Sequence, residues 1–99
     1  MALDFRRRRI DIPNGTGQRV INGSVSFGST VRTAQVAING FRLDYRSDDH
    51  HIDTVEIDAD FLSRSGNNVF FVVRADYADK NNDDTYRGHV EVLVIADVQ

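Results

Sequence analysis

Apolar side chains recur at every second position along most of this chain, and nowhere do they hold the i, i+3, i+4, i+7 spacing of an amphipathic helix over three turns. The alternation predicts six strands. The first covers about Leu3 to Ile12, with Leu3 and Phe5 in one phase and Ile10 and Ile12 in the other, a change that calls for a bulge or twist inside the run Arg6 to Arg9. Pro13-Asn14-Gly15-Thr16-Gly17 is expected to end it. The second strand alternates through Ile21, Gly23, Val25 and Phe27 and turns at Gly28-Ser29-Thr30. A third, long strand carries Ala34, Val36 and Ile38, then changes phase at Asn39-Gly40 into Phe41, Leu43 and Tyr45, so Gly40 is expected to mark a bulge or bend.

After the polar, turn-prone Arg46-Ser47-Asp48-Asp49-His50, a fourth strand alternates Val55, Ile57, Ala59 and Phe61 with Thr54, Glu56, Asp58 and Asp60, one face dry and one wet. Ser65-Gly66-Asn67-Asn68 is a hairpin signal whose turn type the residues leave open. The fifth strand, Val69 to Tyr77, begins apolar in both phases and is expected to be central or covered on both sides. The sixth runs from Tyr86 to Val98, where Val90, Val92, Val94, Ala96 and Val98 alternate with a phase that includes Leu93 and Ile95. Short-linked antiparallel strands of this kind predict an all-β, six-stranded antiparallel β-sandwich occupying residues 1–99 as a single domain. The extra apolar positions Phe70, Val72, Leu93 and Ile95 need cover, from a second subunit or from the first strand folding over them.

Composition narrows the function classes. A chain of 99 residues supports one core, and the absence of Cys excludes disulfides, thiolate metal sites and cysteine nucleophiles. Of twelve basic residues only Lys80 is a lysine, and of fifteen acids only Glu56 and Glu91 are glutamates, within a formal net charge of −3. This Asp and Arg bias suits loops and planar multi-donor contacts more than helices. No apolar run approaches the length of a membrane span. The amino terminus has no h-region, so the chain is expected to be cytoplasmic as synthesised, with release by a route lacking a signal peptide left open.

The order of elements resembles the H-type lectins, small six-stranded sandwiches of about this length. The resemblance covers about residues 19–97 and rests on Ser24-Val25-Ser26-Phe27, Val36-Ala37-Ile38-Asn39-Gly40-Phe41, Phe61-Leu62-Ser63-Arg64-Ser65-Gly66 and the closing Val94-Ile95-Ala96. It implies a homotrimer or a hexamer of paired trimers, binding sugars such as N-acetylgalactosamine in shallow sites between protomers. The family's sugar-binding arginine would fall around His50 or His51, and its last-loop aromatic and histidine around Ala78 to Lys80, where this chain has neither.

The residues themselves support several chemistries. Asp48-Asp49-His50-His51 with Asp53 offer ligands that a divalent metal would accept, but a polar turn entering a strand explains every one of them. Asp76, Asp79, Asn81, Asp83 and Asp84 are closely spaced oxygen donors suited to calcium, without the EF-hand order, and a solvated turn rich in Asx hydrogen bonds is the competing reading. Arg6 to Arg9 matches phosphate in chemistry, but on a strand Arg6 and Arg8 oppose Arg7 and Arg9 and no aromatics interleave. Edge protection and salt bridges are therefore expected there, rather than nucleic-acid binding. No nucleophile elbow, phosphate loop or dinucleotide fingerprint is present, so a non-enzyme is expected. The leading expectation is a homo-oligomeric carbohydrate-binding module using Asp49, His50, His51, Asp83, Tyr86 and Arg87 for hydroxyl hydrogen bonds and ring stacking. The alternative is a structural oligomer-forming domain of a larger assembly with no small ligand.

Overall fold

Alternating side chains make strands throughout: β1 (Ala2–Gly15), β2 (Arg19–Ser26), β3 (Val31–Tyr45), β4 (Ile52–Ser65), β5 (Asn68–Asp79) and β6 (Tyr86–Val98). They are seen in a computed structural model that describes residues 2–45, 52–79 and 85–99. Two three-stranded antiparallel sheets form, sheet A in the order β1-β6-β3 and sheet B in the order β2-β5-β4. The predicted all-β sandwich is the observed architecture, with β5 and β6 at the two sheet centres. Among the described residues no helix is long and apolar enough to cross a membrane.

Central strands supply the core because both their edges are hydrogen-bonded and their inner phase meets the opposite sheet. Val90, Val92, Val94 and Ala96 of β6 are no more than 1% exposed, as are Val69, Phe71, Val73 and Ala75 of β5. Each such Val or Phe contributes about 1.5–3 kcal/mol relative to exposure. Gly23 on β2 is required by this packing, since a Cβ there would sit 2.6 Å from the Phe71 ring and 3.0 Å from Ile10 Cδ1. Gly66 adopts φ +58° in the turn joining β4 to β5, a backbone conformation that favours glycine.

The expected phase change inside the arginine run does not occur. β1 keeps one register against β6 from Ala2↔Val98 to Ile12↔Gly88, and its irregularity falls between Ile12 and Gly15. Leu3 and Phe5 therefore point outward, 68% and 53% exposed, while Asp4, Arg6 and Arg8 share the inner phase with Ile10 and Ile12. Polar groups occupy that phase on an edge strand of sheet A: Arg6 Nη1 pairs with Asp4 Oδ1 at 2.9 Å and its guanidinium stands 4.9 Å above the Phe27 ring. The Phe5 backbone N–H and Arg6 together hold the Asp4 carboxyl below its ordinary range, against a smaller opposing effect of burial. Pro13 likewise does not end the strand, because it falls in the irregularity between Ile12 and Gly15 of an edge strand, where proline is tolerated. The predicted Gly40 bulge is present as a register shift between Ile38 and Gly40.

β1 lies beside β6 within sheet A, so it does not fold over the extra apolar positions. Leu93 and Ile95 face outward from sheet A, half-buried, whereas Phe70 and Val72 belong to the opposite outer face, that of sheet B. Val72 is only 3% exposed and Phe70 38%. A separate apolar strip lines the flank where β3 lies over β4. There the inner-phase residues Ile38, Phe41, Val55 and Phe61 are 38%, 52%, 51% and 40% exposed. The radius of gyration, 15.6 Å, exceeds the roughly 13 Å of a compact domain this size.

Candidate functional site

The start of β6 is built around a residue that sequence reasoning placed in contact with ligand. Tyr86 is fully buried, its ring packed edge-on against Tyr77 at 5.9 Å and its hydroxyl donating to the Gly17 carbonyl at 2.7 Å. Its ring therefore has no face free for a sugar, and the expected stacking role is withdrawn. The burial has a simple cause: Tyr86 occupies the same phase as Val90, Val92 and Val94, which point between the sheets.

Alternation then turns its neighbours outward. Arg87 and His89 emerge on the outer face of sheet A, where Asp11 of β1 and Arg42 of β3 flank His89 in register and Asp44 stands opposite Arg87. Gly88 between them lets the strands meet closely, because a Cβ at that position would overlap the Arg42 carbonyl oxygen. The result is a shallow depression of about 670 Å³ whose lining includes Arg9, Asp11, Asn14, Arg42, Asp44, Arg87 and His89.

The two edge strands present matching pairs across this depression. Arg9 Nε donates to Asp11 Oδ1 at 3.1 Å on β1, and Arg42 Nε donates to Asp44 Oδ2 at 2.9 Å on β3. Both pairs are exposed, so they orient side chains more than they stabilise the fold. Each arginine is held through Nε, which leaves its Nη groups without a partner among the described residues, and each aspartate keeps one oxygen in the same condition. Arg87 has no ion-pair partner among the described residues. Among the described residues, three guanidinium groups against two carboxylates leave this spot one net positive charge, on a chain whose formal net charge is −3.

Of the other residues anticipated from the sequence, Arg87 alone among the described residues is found at this depression. Asp49, His50, His51 and Asp83 lie outside the described residues, as do Asn81 and Asp84 of the calcium set and the side chain of Asp79. Asp76 is half-buried on β5, and its Oδ1 has no hydrogen-bond partner among the described residues. Among the described residues no group of three or more His, Asp or Glu side chains is arranged to hold a metal. The cluster that sequence reasoning missed did carry a signal: Arg9-Ile10-Asp11 and Arg42-Leu43-Asp44 repeat one Arg-apolar-Asp pattern, which on a strand places both charges on one face.

The chain matches no protein-family model, no curated protein and no solved structure.

Proposed function

We propose that this protein is a non-enzymatic recognition module, lectin-like in plan, that binds carbohydrate at the sheet A depression and works as a homo-oligomer. The observation that carries the reading is the lining itself: guanidinium, carboxylate, imidazole and amide groups over a backbone floor at Gly88. Sugars present alternating hydroxyl donors and acceptors, and planar multi-donor and multi-acceptor side chains satisfy both. A shallow, water-accessible surface suits binding more than turnover, because catalysis draws on a site from which water is excluded.

The test is a glycan array probed with purified protein, once with calcium and once with chelator. Binding to a coherent set of sugars that Arg87→Gln weakens supports the reading. Loss of binding in chelator would add calcium, for which the 76–84 segment offers the donors. A blank array overturns the carbohydrate part.

A second reading, a structural oligomer-forming domain without a small ligand, draws on a different observation. Ile38, Phe41, Val55 and Phe61 leave the inner phase of the β3 and β4 flank partly open to water, and apolar surface of this kind on a small domain is commonly covered by another subunit. The trimer or hexamer expected from the lectin resemblance would use such a surface as well. Sedimentation velocity reads this directly: a strictly monomeric species removes both the oligomeric part of the first reading and the whole of the second.

A further inference from the structure

We infer that the ligand of the sheet A depression is an acidic sugar, a hydroxylated ring carrying one carboxylate, with Arg87 as the residue that receives the acid group. The inference rests on the carbohydrate reading above and deepens it. Arg87 projects from the central strand opposite Asp44, with Asp11 and Arg42 flanking its neighbour His89, and among the described residues no carboxylate forms an ion pair with it. Its planar fork matches a carboxylate through two parallel hydrogen bonds.

The surroundings select for the rest of the ligand. On either side, Asp11 and Asp44 each spend one oxygen on their own arginine and keep the other for a donor. A bare anion would leave those oxygens unmatched and repelled, whereas ring hydroxyls donate to them. Among the described residues the spot's single net positive charge likewise balances one negative charge and gives no reason to favour a dianionic phosphate or a polyanion chain. Net charge, fork geometry and lateral acceptors thus agree on a hexuronate-like group.

The experiment is an amide-resolved NMR titration of the full chain at neutral pH with methyl glucuronide, methyl glucoside and acetate, repeated on Arg87→Gln and Arg87→Lys. The expected result is saturable movement of the Arg42, Gly88 and His89 amides by the glucuronide, at least about tenfold tighter than by the glucoside, the factor expected of one charge-assisted hydrogen bond. Arg87→Gln should erase that tenfold preference, and Arg87→Lys, which keeps the charge but not the fork, should retain only part of it. The spectra themselves report whether each variant is folded. Equal affinity for glucuronide and glucoside at these amides overturns the acidic-sugar inference and leaves the carbohydrate site standing. Acetate binding as tightly as glucuronide overturns it in favour of a simple anion site. No saturable movement by either sugar at these amides overturns the inference together with the assignment of the depression as the sugar site.

Discussion

The Tyr86 hydroxyl donates to the Gly17 carbonyl at 2.7 Å, with the Ala75 carbonyl 3.1 Å away as a second acceptor. One side chain thereby ties the start of β6 to the turn between β1 and β2 and to the centre of β5. Tyr86→Phe keeps the ring and its packing but leaves buried acceptors unmatched. The expected cost is about 1–3 kcal/mol, visible as a melting temperature lower by roughly 4–8 °C for each kcal/mol lost. An unchanged melting curve would mean that the hydroxyl is not engaged in solution.

The same hydroxyl makes stability depend on alkaline pH. Burial pushes its pKa above the ordinary 10.0, the Asp76 carboxylate adds to the shift, and Arg19 opposes it. The folded state therefore holds this proton more tightly than the unfolded chain. The contribution is fully present below pH 10 and declines as pH rises through and beyond that value. Urea midpoints measured from neutral to strongly alkaline pH should fall more steeply for the wild type than for Tyr86→Phe, which has no proton to lose.

Gly88→Ala should damage both fold and site. The new Cβ would meet a backbone carbonyl, that of Arg42, which cannot rotate away as a side chain would. Overpacking of this sort costs on the order of 1–3 kcal/mol, and here it acts by prising β3 from β6. Amide exchange at Arg42 and Leu43 should accelerate, and any ligand binding at the depression should weaken; native exchange rates there would contradict the close approach.

Phe41→Asp should lower the sedimentation mass of the protein, whereas Phe5→Asp should not. Phe41 shares with Ile38, Val55 and Phe61 the partly exposed inner phase of β3 and β4, which the homo-oligomer proposed above would cover. Phe5 instead shares the outer phase of β1 with Arg7 and Arg9, which break its surface into smaller pieces. The reverse outcome would move the interface to the outer face of sheet A.

Local patterns made most of the fold readable. Alternation in Val55 to Phe61 and Val90 to Val98 placed β4 and β6, and the shift at Asn39-Gly40 located a bulge, because each signal lies within one strand. Leu3 and Phe5 were misread because hydrophobicity was taken to mean burial, while a β1 register running unbroken to Val98 fixes their direction. Tyr86 was misread because it follows a polar stretch, although its phase with Val90 already pointed inward. The depression could not be assembled from spacing alone: Asp11, His89 and Arg42 become neighbours only through β6 pairing with both β1 and β3.

The pairing of Ala2 with Val98 places the two ends of the chain side by side, and the Gln99 N–H closes onto the Thr30 carbonyl at 3.0 Å. From there the strands carry the sheet A depression to the opposite pole, since ten residues separate Gly88 from Val98 on β6, a distance of roughly 30 Å. A tag, a fluorophore or a fused domain attached at either end therefore sits far from Arg87. Immobilising the protein through either terminus leaves the depression turned toward solution.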